Sequence, residues 1–305
     1  MTEDQFYRTL FGTMPPPGPE VAIPPGDDCA AVRTPHGDLL LLAVDQLVGD
    51  RHYAATGQSP CEPEDAGAKL LNRNLSDIAA MGGRAEYALV AIGFPKRRNA
   101  DWLARFSAGI LRAARPVGVH VLGGDLARTP HDDVASLTVV GRVGESRVLR
   151  RSGARAGDLL YATGCFGHSF PTGHHLTFTP RCREGAWLAE QQLARAMIDC
   201  SDGLLADSSR LADASGVTVR LNPDAPPARA APRDQGAILG DGEDYELIFA
   251  VAPDKAPGLE RDWPFRDVPL TRIGDFPQRG RFAAIRPDGS PFQDTPGGFD
   301  HFAEP

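Results

Sequence analysis

The amino-acid sequence predicts an α/β chain of the α+β type, built as two domains. Three observations carry this prediction. Short apolar runs of strand length alternate with segments of helical period. The 305 residues exceed the ~100–200 of a typical domain. A basic stretch, Arg147–Arg155, lies near the middle and connects two runs of alternation, so the expected division is 1–146 and 147–305. No repeat with a period of ~20–50 residues is visible, which excludes solenoids and propellers.

Leu39 to Val44 is an apolar run ending in Asp45, a buried strand that delivers a carboxylate at its end. Ser59-Pro60-Cys61-Glu62 has the form of a capping box, with Ser59 as N-cap, proline at the first helical position and Glu62 at the third. The helix that follows carries Ala66, Leu70, Leu71 and Ile78 and stops at Met81-Gly82-Gly83. Tyr87–Ile92 reads as a strand and Asp101–Arg115 as an amphipathic helix stopped by Pro116. Val119–Leu122 is a strand running into the turn Gly123-Gly124-Asp125, and Leu137–Val143 closes the first half. In the second half Leu159–Ala162 is a strand, Gly185–Ala196 a helix and Met197-Ile198 a short strand. Leu204–Ala214 is a helix with Ser201 placed as its N-cap, and Val217–Leu221 and Tyr245–Val251 are strands. Residues 222–235, with four prolines, form a surface loop.

Composition narrows the function. Hydrophobic residues make 42% and charged residues 24%, an ordered globular balance. Glycine (33) and proline (27) exceed average usage of about 7% and 5%, so tight turns and glycine loops are many. Acidic residues number 40 against 32 basic, a net charge of −8. That argues against an unselective grip on nucleic acid, which needs a basic field. No apolar run approaches the ~18 residues of a membrane helix, and the acidic start lacks the regions of a signal peptide. Five scattered cysteines without a C-x-x-C pair argue against a disulfide scaffold and a zinc ribbon. These features predict a soluble cytoplasmic enzyme.

The informative pattern is a carboxylate in each of several glycine- or serine-flanked turns: Gly26-Asp27-Asp28, Val44-Asp45, Ser76-Asp77, Gly124-Asp125, Asp199-Cys200-Ser201-Asp202 and Gly242-Glu243-Asp244. Singly, each is an ordinary turn, since Asx and glycine favour turns locally. As a set they say more. Asp45, Asp125 and Asp199 follow strand-like runs, the edge where α/β folds place ligands. Oxygen ligands without paired His or Cys suit magnesium, which bridges substrate phosphates. Neither a Walker loop, a dinucleotide fingerprint, protein-kinase signatures nor a hydrolase elbow is present. Gly164-Cys165-Phe166-Gly167-His168-Ser169 follows a strand and offers a weak phosphate cradle. His52 is placed to contact an anionic substrate or the solvent, and His174-His175 to lie on a loop surface.

The motifs together resemble the thiamine-monophosphate kinase family, within the superfamily of aminoimidazole ribonucleotide synthetase. The resemblance runs in order through Gly26–Ala30, Asn74–Gly82, Gly123–Asp125, Arg151–Asp158, Ile198–Leu204, Gly242–Leu247 and Gly298–Phe302. It implies direct transfer of the γ-phosphoryl of ATP to thiamine monophosphate with magnesium, giving thiamine diphosphate. It implies Asp27, Asp45, Asp77, Asp125, Asp199 and Asp202 as magnesium ligands, with Asp125, Asp199 and Asp202 carrying catalysis. ATP contacts fall on Gly124, Asp125, Arg151 and Ser201, and thiamine monophosphate contacts on His52, Glu243 and Phe299. Homodimers that pair through the N-terminal sheets are a further implication.

The sequence departs from the family pattern in three places. Ala43-Val44 stands where the family has Ser-Thr before the aspartate, residues 167–175 are short where a long helical segment is usual, and Asp241 adds a carboxylate before Glu243. Two alternatives use the same residues: a superfamily relative acting on another acceptor, and a non-catalytic nucleotide- or thiamine-phosphate-binding protein.

Overall fold

The computed structural model describes residues 3–277 and 284–292. The first half contains α1 (Glu3–Thr13), β1 (Val21–Ile23), β2 (Ala30–Arg33), β3 (Asp38–Val48), α2 (Pro63–Ala80), β4 (Arg84–Phe94), α3 (Ala100–Val117), β5 (His120–Arg128) and β6 (Val134–Gly144). Its sheet runs β1-β2-β3-β6-β4-β5, with β4 and β5 the parallel pair. Along β6 the burial alternates strictly: Ala135, Leu137, Val139 and Val143 face a core shared with Leu70, Leu71 and Phe106 of α2 and α3. The two helices meet through glycine, because a Cβ on Gly67 would lie 2.0 Å from the Phe106 carbonyl and one on Gly109 would lie 1.9 Å from that of Glu64. Among the described residues, no helix covers the opposite sheet face. Cross-strand rows Leu42–Val140–Tyr87 and Val44–Thr138–Leu89 lie there, with Val44 63% and Leu89 51% exposed.

The second half holds β7 (Leu159–Thr163), α4 (His174–Thr177), α5 (Cys182–Glu190), β8 (Ala194–Cys200), α6 (Leu204–Ser215), β9 (Val219–Leu221), α7 (Gln235–Gly240), β10 (Glu246–Val251), α8 (Ala256–Asp262), β11 (Leu270–Asp275) and β12 (Ala284–Ile285). Its sheet order is β12-β9-β11-β7-β10-β8. All six residues of β10 are buried because both faces are covered. Ile248 and Ala250 join Leu211 and Ile238 on one side; Leu247, Phe249 and Val251 join Leu188 and Leu259 on the other. The C-terminal end of α2 enters this second core through Ala79 and Ala80. Small residues permit the approach: a Cβ on Gly185 would lie 2.2 Å from the Ala79 carbonyl.

Several boundaries differ from those expected. The α2 helix starts at Pro63, with Glu62 at the cap position and no side-chain capping bond, so Ser59 is not its cap. The Cys61 N–H is bound by the Ala54 carbonyl, 2.7 Å away, which keeps the preceding segment in a loop. Strand β3 continues to Val48 against β6, placing Asp45 within the strand instead of at its end. Pro116 sits inside the last turn of α3, and Gly118, with φ 73°, ends the helix. Gly123-Gly124-Asp125 is not a turn, because parallel pairing with Leu89–Ala91 draws it into β5. The expected helix Gly185–Ala196 is α5 ending at Glu190, and residues 194–200 form β8 because β10 supplies their ladder. Gly203, not Ser201, precedes α6, and the Asp207 carboxylate accepts the Asp202 N–H at 2.9 Å. His174 and His175 open the short α4, and His175 is buried.

Candidate active site

Helix α2 organises the cleft between the two halves. Lys69, Arg73 and Asp77 recur every fourth residue, so they form one row along the helix at steps of ~6 Å. The cleft has a volume of about 650 Å³, and the row's Arg73 and Asp77 line it.

At one end Asp77 meets Asp28, from the loop before β2, and Asp199 of β8; ligand oxygens of the three lie within 4.8 Å of one another. The Ser76 hydroxyl donates to Asp199 at 2.7 Å, and Arg151 Nη2 donates to Asp28 Oδ1 at 2.7 Å. Asp28 Oδ2 is buried without a hydrogen-bond partner among the described residues. The Asp27 Oδ1 accepts the N–H groups of Arg151 and Asp28, both at 3.1 Å. Burial first, and Asp28 second, push Asp27 up to about 6. Burial also raises Asp28 against the pull of Arg151; burial and neighbouring carboxylates push Asp77 and Asp199 well above the usual range. Carboxylates crowded in this way, with an orphaned oxygen and no His or Cys among them, fit a hard divalent cation.

At the other end the loop Gly242–Tyr245 is bent by positive φ at Glu243 (64°) and Tyr245 (51°). Backbone bonds to Ser201 and Cys200, each 2.7 Å, hold it. Lys69, fully buried, donates to the Glu243 carboxylate and to the His52 carbonyl, and burial lowers its ammonium to about 8. It therefore ties the His52 loop of the first half to the Glu243 loop of the second. Between the ends, Arg73 Nη1 donates to the Gln46 carbonyl at 2.8 Å, and its Nε lies 3.5 Å from Asp45 Oδ2.

Of the residues singled out from the sequence, Asp27, Asp45, His52, Asp77, Arg151, Asp199, Ser201, Asp202 and Glu243 line the cleft. Gly124 and Asp125 do not. They lie exposed on the edge strand β5, Asp125 in the row Ser136–Ala91–Asp125 on the uncovered sheet face. Phe299 lies outside the described residues. The glycine loop 164–169 is no phosphate cradle, since the N–H groups of Gly164, Phe166, Gly167 and His168 bind Pro269, Pro227, Asp244 and Asp241. His174 and the Arg229–Asp244 pair tie the shortened segment to the Glu243 loop, His174 Nε2 lying 3.1 Å from the Asp244 carbonyl. Asp28, Lys69, Arg73, Arg210 and Tyr245 belong to the site or its walls and were not singled out. The charged row Lys69–Arg73–Asp77, at four-residue spacing along one side of α2, was the available signal.

Models of the AIR synthase related protein match residues 26–143 for the N-terminal domain and 138–283 for the C-terminal domain. The thiamine-monophosphate kinase of Salmonella typhimurium is 32% identical over 92% of this chain and 92% of its own. The chain belongs to the thiamine-monophosphate kinase family. Within that family, the solved structure of AaThiL complexed with AMPPCP and TMP superposes with a TM-score of 0.84, at 27% identity, over 99% of this chain and 97% of that one. The thiamine-monophosphate kinase of Stenotrophomonas maltophilia K279a gives 0.75, at 29% identity, over 95% and 96%. The family the Asn74–Gly82 and Gly242–Leu247 blocks resemble is therefore the one to which the chain as a whole belongs.

Proposed function

We propose that this protein transfers the γ-phosphoryl of ATP directly to the phosphate of thiamine monophosphate, giving thiamine diphosphate and ADP. The observation that carries this is the cluster Asp28–Asp77–Asp199 in a cleft walled by arginine, in a chain of this family. An oxygen of the acceptor phosphate supplies the electron pair of the new P–O bond, and the bridging oxygen of ATP keeps that of the broken one. The acceptor oxygen is already anionic, so no strong base is needed; positioning and charge neutralisation do the work. Asp28, Asp77 and Asp199 would hold magnesium, with Asp27, Asp45 and Asp202 as the further carboxylates of the cleft; bound there, the metal would screen the phosphates. Arg151, beside Asp28, and Ser201 stand on the ATP side, and His52 and Glu243 on the thiamine side; the family resemblance assigns Phe299, outside the described residues, to the same substrate.

Asp125 and Gly124 enter this scheme through a homodimer. An uncovered apolar sheet face of this extent is an interface in waiting, and Asp125 lies on it. Paired across that face, each copy presents its Gly124-Asp125 to the other's nucleotide site. The halves 1–146 and 147–305 then serve as the pairing domain and the domain that completes the substrate site. No described helix is long and apolar enough to cross a membrane, in keeping with a cytoplasmic enzyme. Incubation with ATP, magnesium and thiamine monophosphate should yield thiamine diphosphate one-for-one with ADP. Thiamine monophosphate bound without ADP release would instead mark a binding protein.

A further inference from the structure

We propose that Arg73, with the Tyr245 hydroxyl, grips the acceptor phosphate, making this pair a phosphate-monoester subsite of the cleft. Two orphaned polar atoms point to it. Arg73 Nε and the Tyr245 hydroxyl are both buried without a hydrogen-bond partner among the described residues, and both residues line the same cleft. Asp45, Glu243 and Asp77 are the acidic groups whose charge acts on the guanidinium, and the Tyr245 hydroxyl stands with them. The Nε meets only the Asp45 carboxylate, in an ion pair at 3.5 Å that supplies no hydrogen bond. A buried N–H and O–H without hydrogen bonds are costly, and an anionic phosphate oxygen reaching both would satisfy them. Guanidinium is also the group best matched to phosphate.

Position along α2 says which phosphate. Asp77, one turn further, belongs to the carboxylate cluster; Lys69, one turn back, holds Glu243 and the His52 loop. Arg73 stands between them, where a phosphate must sit if a thiamine end and a metal end are to be joined by transfer. Tyr245 is held for the task. Its N–H is fixed on the Cys200 carbonyl at 2.7 Å, and its ring stacks on Phe178 at 4.0 Å. The Nη1 bond to Gln46 fixes the other side of the guanidinium. Ala43-Val44 offers no hydroxyl beside Asp45, and Arg73 brings a permanent positive charge to that wall instead.

This inference rests on the thiamine-monophosphate reading, and the test separates the two. Calorimetric binding of thiamine monophosphate and of unphosphorylated thiamine is compared for wild type, Arg73→Gln and Tyr245→Phe, alongside steady-state kinetics. Arg73→Gln should weaken thiamine monophosphate by ~30-fold or more while leaving thiamine within about two-fold, because thiamine has no phosphate to lose the charged contact. Its kcat should fall ~100-fold. Tyr245→Phe keeps the Phe178 stack and should act in the same direction by about ten-fold; it carries the test alone if Arg73→Gln fails to fold. Thiamine monophosphate affinity within about two-fold of wild type in the folded variants would overturn the proposal. Should wild type neither bind nor phosphorylate thiamine monophosphate, the functional reading falls. Inorganic phosphate then decides the subsite: binding lost in the variants upholds it, and unchanged binding refutes it.

Discussion

Replacing Asp77 by Asn should stabilise the metal-free protein while disabling it. The substitution removes one charge from three crowded carboxylates and deletes no side-chain hydrogen bond among the described residues. Two unit charges at the outer limit of 4.8 Å repel by about 3 kcal/mol at an effective dielectric of ~20. Asp77 faces two such neighbours, but raised proton affinity already relieves part of the repulsion, so the expected net gain is about 3 kcal/mol. At ~2 °C per kcal/mol the melting temperature near neutral pH should rise by about 6 °C. The pH dependence has a definite sign. A carboxyl raised in the folded state contributes stability that is full below its unfolded value and lost as pH rises through its folded one. For Asp27 that window runs from 3.8 to about 6, and for Asp28, Asp77 and Asp199 it opens upward from the same ordinary value. Scanning calorimetry in chelator should therefore show wild type losing stability across this range, with a shallower loss in Asp77→Asn. Magnesium at ~100 times its dissociation constant should restore about 2.7 kcal/mol to wild type and much less to the variant. A metal-free Asp77→Asn no more stable than wild type, with an undiminished response to magnesium, would refute the reasoning.

Other substitutions test other links. Asp199→Asn should cut kcat by at least ~100-fold with folding intact, the scale of a lost electrostatic stabiliser; near-normal turnover would remove Asp199 from the metal set. Mixing Asp125→Asn with Asp199→Asn should recover about a quarter of wild-type activity if sites are shared across a two-fold dimer, and none if each copy works alone. Val44→Glu, on the exposed sheet face, should give a monomer in analytical ultracentrifugation. Gly109→Ala should cost ~1–3 kcal/mol or more in denaturant unfolding, because its Cβ would meet the Glu64 carbonyl at 1.9 Å.

Much of the fold was legible because strands buried on one or both faces announce themselves as apolar runs. Leu39–Val44 and Leu137–Val143 fall wholly on observed strands, and Tyr245–Val251 does so from Glu246 onward. Boundaries failed where tertiary pairing overrode local chemistry. Gly123-Gly124 reads as a turn until β4 draws it into a parallel ladder, and Ser59 reads as a cap until Ala54 claims the neighbouring N–H. In the site, turn carboxylates were visible because glycine and serine flank them. Asp28 was not separable from Asp27, since adjacent residues diverge only once the loop's course is set. Lys69 and Arg73 carried a signal, their spacing, that could not be told from an ordinary surface row. Charged residues at helical spacing ordinarily face solvent, and only the second half of the chain turns that side of α2 into an interior.

The burial of α2 in both cores bears on how the enzyme cycles. Many two-lobed enzymes swing about a hinge to assemble their catalytic groups. Here the last turn of α2 is lodged among Leu188, Tyr161 and Phe249 of the other half, locked by backbone contacts too close for a side chain at Gly185. Asp28 and Asp77 come from one half and Asp199 from the other, and this packing opposes a swing that would separate them. Their convergence is settled when the chain folds, so the entropy of bringing them together is not charged to each turnover. The cleft's rim is held otherwise: Tyr7 and Phe11 of α1 and Phe170 stand there, aromatic side chains that belong to none of the cores in which α2 is anchored.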